Sequence, residues 1–111
     1  MSRDEFDSLI GPIESLLTRA GFSQIRNERD GPFGSHYAEF ADGKNAYRIV
    51  WDGKDSWLAG EYCANYGASE TSSWKDVATY RAGRYASSMD LRAFGAQLVE
   101  ALRAHRASHA A

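Results

Sequence analysis

The chain lacks most of the features that would tie it to a compartment or to a particular chemistry. It has 1 cysteine and 2 prolines among 111 residues, so an internal disulfide is excluded and a reducing compartment is expected. Residues 1–5 show no apolar signal-peptide core, and no apolar run approaches the length of a membrane span. We therefore expect a cytoplasmic protein that forms one domain over residues 1–111, with a frayed tail from about residue 106.

No spacing of histidine, cysteine, acidic or serine residues matches a known catalytic or metal site. His36 has no potential ligand at metal-binding spacing and is interpreted as structural. His105 and His109 are four residues apart, but without a third ligand they do not predict a zinc site. Cys63 has no basic neighbour in the local sequence that would activate it as a nucleophile. The sequence therefore predicts no cofactor, no metal and no enzymatic activity.

The charge balance is slightly acidic, with a net charge of −2. A basic stretch around Arg81 and Arg84 is too small to predict nucleic-acid binding in such a chain. Acidic residues recur at the predicted turns and their flanks, where aspartate is favoured for local reasons. If they have a function, they would suit a basic partner. They are Asp30, Asp42, Asp52, Asp55, Glu70 and Asp76.

Two amphipathic helices are predicted at the ends of the chain. The first covers residues 2–20, with Ser2 and Glu5 as a capping box and Gly21 as its stop. Pro12 predicts a kink or a break in this helix. The second helix begins at Ser87 or Ser88. Its apolar stripe consists of Leu91, Phe94, Leu98, Ala101, Leu102 and His105.

A near-repeat in the middle of the chain predicts two hairpins. Residues 42–45 and 52–55 both have the pattern Asp-Gly-Lys-Asx between aromatic and β-branched residues. The strands of this meander are expected near residues 36–41, 46–51 and 57–63. A preceding strand over residues 22–29 is expected to contain a bulge.

The segment after the meander allows two interpretations. Residues 64–73 predict a loop, and residues 74–86 form either a short helix ending near Gly83 or a further strand over residues 79–86. The predicted fold class is α+β. It has an N-terminal helix, an antiparallel three- to four-stranded meander with helices packed on one face, and a C-terminal helix.

The register of the meander follows if each Asp-Gly-Lys-Asx is a four-residue loop. The first hairpin then closes at Ala41 and Ala46. The second closes at Trp51 and Ser56. Because side chains alternate between the faces of a sheet, the more apolar face is predicted to be the core. It carries Ala38, Phe40, Tyr47, Ile49, Trp51, Leu58, Gly60 and Tyr62, and the other face carries Tyr37, Glu39, Arg48, Val50, Trp57, Ala59, Glu61 and Cys63.

The second face contains the candidate binding residues. Glu39 lies opposite Arg48, with Glu61 on the diagonal. Next to this charge cluster is an apolar row formed by Tyr37, Val50 and Trp57. An apolar patch with a charged rim is typical of a binding surface. Three interpretations remain: an interface with a partner or a second copy, cross-strand packing shielded by a loop, or a ligand groove. The candidate residues are Tyr37, Glu39, Arg48, Val50, Trp57 and Glu61.

The order of elements resembles small bacterial αββββα domains. The resemblance is carried by residues 21–22, 33–34, the hairpin at 51–54 and Trp-Lys-Asp-Val at 74–77. Immunity proteins that neutralise secreted polymorphic toxins, and several uncharacterised families, share this layout. The resemblance implies a domain that acts by binding and blocking, and it assigns no residue a role.

The preferred hypothesis is therefore a non-enzymatic protein-binding domain, such as an immunity protein or a chaperone-like adaptor. A second hypothesis is a small-molecule pocket or an unrecognised enzyme that uses His36, Arg48 and Glu61. A third is a homodimeric structural module in which two outer sheet faces pair.

Overall fold

The described residues form a single antiparallel sheet with two helices on one face. In the computed structural model, residues 1–30, 34–67, 73–83 and 87–109 are described. The elements in chain order are α1 (Arg3–Arg19), β1 (Ser23–Asp30), β2 (Ser35–Ala41), β3 (Ala46–Asp52), β4 (Trp57–Cys63), β5 (Lys75–Arg81) and α2 (Ser88–His109). The predicted α+β class is confirmed, but the sheet has five strands, in the order β1-β2-β3-β4-β5, and not three or four.

Helix α1 begins and ends where the sequence indicates. The Ser2 hydroxyl accepts a hydrogen bond from the Glu5 amide, and the Glu5 carboxylate accepts one from the Ser2 amide, so the capping box is confirmed. Gly21 follows the helix with a φ of 93°, a conformation that favours glycine. The helix continues through Pro12. The predicted break is therefore wrong, because α1 stays packed on the sheet through buried side chains both before and after the proline: Phe6, Ile10, Ile13 and Leu17.

Strand β5 resolves the ambiguity over residues 74–86 for the part that the structure describes. Residues 75–81 form a strand, so the short helix is wrong. The alternative strand is confirmed in kind, but its predicted bounds of 79–86 are wrong, because β5 starts at Lys75 and ends at Arg81. Residues 84–86 lie outside the described part of the chain. Ala78 pairs with Gly60, and Tyr80 pairs with Leu58. Both partners belong to the inner face, and Tyr80 stacks on Phe94 of α2 with ring centroids 5.7 Å apart. Packing against β4 and α2 thus selects the strand.

The two hairpins share their turn chemistry but differ in register. Asp42 accepts hydrogen bonds from the backbone amides of Lys44 and Asn45. Asp52 accepts the equivalent hydrogen bonds from the backbone amides of Lys54 and Asp55. The predicted register of the first hairpin is confirmed, with Ala41 opposite Ala46. The second closes one residue later on each strand, at Asp52 and Trp57, where Ser56 adopts a φ of 57°.

The shift in the second hairpin leaves the division of the faces intact. Relative to the prediction, each β3 residue pairs two residues further along β4. Because side chains repeat with a period of two, a shift of two residues keeps every side chain on its face. The inner face is confirmed as the core: Tyr47, Ile49 and Leu58 are fully buried. The bulge predicted in β1 is also confirmed, between Gln24 and Arg26.

Helix α2 packs on strands β4 and β5. Its N-terminus is capped by Ser87, whose hydroxyl accepts a hydrogen bond from the Asp90 amide at 3.2 Å. Leu98 and Leu102 are fully buried, and the helix extends to His109, past the point where fraying was expected to begin. Among the described residues, no helix is long and apolar enough to cross a membrane.

Candidate functional site on the outer sheet face

All six candidate residues lie on the face of the sheet opposite the two helices, which we call the outer face. Its residues come from alternate positions of the strands, as the sequence predicts. Five of the six candidates are partly exposed, and Glu39 is the exception with 5% exposure. The structure therefore brings the predicted residues together, but it divides them between a charged row and a groove.

The charged row crosses the middle strands. Arg48 on β3 lies opposite Glu39 on β2 and opposite Glu61 on β4. The predicted diagonal position of Glu61 is thus wrong, because the second hairpin closes one residue later on each strand. The Arg48 guanidinium forms a two-pronged ion pair with Glu61, in which Nε donates to Oε1 at 3.1 Å and Nη2 donates to Oε2 at 3.2 Å. Such paired hydrogen bonds fix the orientation of the arginine as well as its position.

Two aromatic side chains flank the charged row. Trp74 packs on Arg48, with the guanidinium carbon 4.3 Å from the ring centroid, and Tyr66 lies against Trp74 at 5.9 Å. The Tyr66 hydroxyl donates to Glu39 at 3.4 Å. This end of the outer face is therefore partly shielded by residues that follow β4, as one of the three interpretations proposed. Sequence reasoning gave neither aromatic a role in this site, because Tyr66 lies in the predicted loop and Trp74 lies in the segment whose structure the sequence left open.

A groove of about 570 Å³ lies beside the charged row. Its floor is a row of small or apolar side chains, Val50 opposite Ala59 opposite Thr79. One wall is Trp57, which pairs with Asp52 and Arg81 and not with Val50 as predicted. The remaining lining residues are Glu61 and Asp76 on the opposite wall, together with Asp52 and Arg81 beside Trp57.

Trp57 is held in place from one side by a cation. The Arg81 guanidinium carbon lies 4.5 Å from the centroid of its ring. An arginine stacked on a tryptophan face is attracted by the ring quadrupole. Trp57 is therefore a pre-positioned aromatic wall, which loses little conformational freedom when a partner packs against it.

Tyr37 lies at the β1 side of the outer face. Its hydroxyl donates to Glu28 of β1, and this hydrogen bond raises the pKa of Tyr37 above its ordinary value. Nearby, the negative charge of Glu39, followed by that of Glu28, raises the pKa of Arg26. This edge of the face is therefore polar and charged, a composition that discourages edge-to-edge strand association.

The trio of His36, Arg48 and Glu61 is not assembled. His36 is on the inner face, where it is 1% exposed, stacks on Phe6 at 5.2 Å and contacts the Met1 carbonyl through Nε2 at 3.2 Å. Burial lowers the pKa of His36 and so favours its neutral form. Because the sheet separates it from Arg48, these three groups cannot act on one substrate.

The other two histidines join an aromatic cluster at the end of α2. The Tyr47 hydroxyl lies 2.6 Å from His105 Nδ1, and the His109 ring stacks on His105 at 3.9 Å. Burial, followed by the charges of His109 and Arg106, lowers the pKa of His105. Within the described ranges, no three His, Cys, Asp or Glu side chains are grouped to hold a metal ion. Cys63 is buried with 1% exposure.

The acidic turn residues have mostly local roles. Asp42 and Asp52 accept hydrogen bonds from amides of their own turns. Burial would raise the pKa of Asp42, but hydrogen bonds from Asn45 and Lys44 outweigh it and lower the pKa. Asp76 is different, because it lies on the groove wall. Glu70 lies outside the described residues.

Comparison with protein-family models, with curated protein sequences and with solved structures found no match for this chain.

Proposed function

We propose that this chain is a non-enzymatic protein-binding domain that uses the outer sheet face. The observation that carries the proposal is the arrangement of that face: both helices pack on the inner side, while the outer side presents Trp57 beside a groove of about 570 Å³. An aromatic anchor at a concave site with a charged rim is the composition of interfaces between proteins. The partner is another protein or a second copy of this chain.

The proposal extends to the compartment and to the type of binding protein. The layout of the fold and the net charge of −2 suit a cytoplasmic domain that occupies a partner's surface, as an immunity protein or a chaperone-like adaptor does. Such a domain needs a rigid face more than it needs reactive groups. The Arg48–Glu61 ion pair and the packing of Trp74 on Arg48 provide rigidity at the centre of this face.

The first test is the molar mass of the purified protein by light scattering across a concentration series. The wild type is compared with Trp57→Ala and with Met89→Ala, a control at an exposed apolar residue on α2. A wild-type dimer that dissociates only with Trp57→Ala would place the outer face at a self-interface. A monomer in all three samples would direct the search to another protein.

The second test is affinity capture from the native host with the same three proteins. Truncating a central aromatic anchor typically costs 2 kcal/mol or more, which is roughly a thirtyfold loss of affinity. A captured protein should therefore be lost with Trp57→Ala and retained with Met89→Ala. If Trp57→Ala changed neither self-association nor capture, the outer face would not be the binding surface.

A further inference from the structure

We propose that the outer-face groove receives the side chain of a lysine or arginine on the partner protein. This inference rests on the proposed protein-binding function and names the chemistry of its contact. It is carried by the size of the groove, by the difference between its floor and its walls, and by two carboxylates that the strand register places side by side.

The register fixes the dimensions of the groove. The floor spans three strands, from Val50 through Ala59 to Thr79, which is roughly 10 Å at the usual spacing of 4.7–4.9 Å between strands. The rows on either side are two residues away along β3 and β4, or roughly 7 Å from the floor. On β5, Asp76 lies three residues from Thr79, because the register between β4 and β5 shifts after Gly60. A groove this short fits a side chain and a few backbone atoms of a partner, and it does not fit the length of a helix.

The walls carry the charge that selects the guest. Glu61 on β4 is the direct cross-strand partner of Asp76 on β5. Glu61 is held on its other side by the ion pair with Arg48, and the register between β4 and β5 is irregular between Gly60 and Glu61. Asp76 is exposed and adds a second negative charge to the wall on which Glu61 lies, so this wall suits a basic guest.

The floor suits the apolar part of the same guest. Lysine and arginine carry a chain of methylene groups that packs on apolar surface while the charged end stays at a polar rim. The stem of such a residue can lie over Val50 and Ala59 with its head at Asp76 and Glu61. An acidic guest would meet these carboxylates, since Arg81, the cation that also lines the groove, is stacked on Trp57 at the opposite wall.

The experiment is an NMR titration of ¹⁵N-labelled protein with two capped peptides at low ionic strength. One peptide is Gly-Ser-Arg-Ser-Gly, and the other carries citrulline, which has nearly the shape of arginine but no charge. The arginine peptide should shift the amides of Val50, Ala59 and Thr79, and the citrulline peptide should not. Equal shifts from both peptides, or shifts confined to other parts of the chain, would overturn the inference.

Three variants separate charge from shape. Asp76→Asn should weaken binding of the arginine peptide about three- to tenfold, whereas Glu14→Gln, which removes an exposed carboxylate from α1, should leave it unchanged. Ala59→Leu fills the floor without altering any charge and should abolish the shifts while the circular dichroism spectrum stays that of the wild type. If Asp76→Asn and Glu14→Gln behaved alike, the groove would not select a cation.

The outcome also separates this inference from the proposed function. A captured protein that depends on Trp57 but binds Asp76→Asn and Ala59→Leu as tightly as the wild type would leave the binding surface in place and overturn the cationic guest. A captured protein that is lost with Trp57→Ala and Ala59→Leu and bound more weakly by Asp76→Asn would support both.

Discussion

Replacing Arg48 with methionine tests whether one cation holds the charged row of the outer face together. Methionine keeps much of the apolar stem but removes the ion pair with Glu61 and the stacking on Trp74. The side chains of Arg48 and Glu61 are 28% and 18% exposed, so the pair lies between a surface salt bridge and a buried one. Removing a partner costs about 0.2–1 kcal/mol in the first case and about 3–5 kcal/mol in the second.

We therefore expect Arg48→Met to lower the free energy of unfolding by about 2–3 kcal/mol, which includes about 0.5–1 kcal/mol for the lost stacking on Trp74. Arg48→Lys keeps the charge but loses the paired hydrogen bonds, so it should cost less, about 1 kcal/mol. The matched control is Arg103→Met, since the Arg103–Glu100 pair is 60% and 71% exposed. The control should cost less than about 0.5 kcal/mol.

The assay is urea unfolding of the two single variants, Arg48→Met and Glu61→Gln, and of the double variant. The double-mutant cycle isolates the interaction between the two side chains, and we expect a coupling free energy of about 1–2 kcal/mol. A coupling below about 0.3 kcal/mol, or an Arg48→Met variant as stable as the Arg103→Met control, would refute the reasoning.

Three further predictions concern the core, the histidines and the N-terminal cap of α2. A Cβ at position 60 would lie 2.7 Å from a Leu98 methyl, so Gly60→Ala should lower the free energy of unfolding, measured in urea, by about 1–3 kcal/mol. In a Leu98→Ala background the same substitution should cost little. Equal costs in both backgrounds would contradict this contact. Burial lowers the pKa of His36 and of His105 below 6.5, so the folded chain binds fewer protons than the unfolded chain just below that pH. The free energy of unfolding should therefore fall as the pH drops from 6.5, and a pH slope retained after both histidines are replaced by glutamine would contradict this assignment. Ser87→Ala should lower the free energy of unfolding by about 1 kcal/mol through loss of the α2 cap, measured by thermal unfolding against Ser108→Ala.

The helices and the two faces of the sheet were predictable because their patterns are short-range. The capping box at Ser2, the glycine stop at Gly21 and the apolar stripe of α1 depend on residues within four positions of each other. The faces depend on an alternation with a period of two. That alternation survived the incorrect second register, because a shift of two residues keeps each side chain on its face.

Strand β5 was not predictable with the same rules. Residues Ser73 to Asp76, which lead into the strand, have the pattern of a helix N-terminus, and the alternation of Ala78 and Tyr80 is too brief to outweigh it. The strand forms because Leu58 and Gly60 present a free edge and because Tyr80 packs on Phe94. Both contacts join parts of the chain that are distant in sequence.

The candidate site likewise has features that short-range patterns predict and features that depend on contacts between distant segments. Alternation placed Arg48, Glu61 and Trp57 on one face, whereas the partner of each depends on register. The sequence predicted Glu61 on a diagonal and Trp57 beside Val50, but the structure pairs them with Arg48 and with Asp52. The groove floor, whose third member Thr79 lies on β5, could not be foreseen while that strand was unassigned.

The sequence by itself determined which side chains face the helices and which face outward, because local periodicity and turn chemistry act over a few residues. The tertiary structure decided how the outward side chains meet: the ion pair of Arg48 with Glu61, the packing of Trp74 and the groove beside Trp57. The physical reason is that pairing across strands and packing of distant segments depend on the free energy of the whole assembled sheet. A local sequence pattern does not report this free energy, so the shape of the outer face is known only from the folded chain.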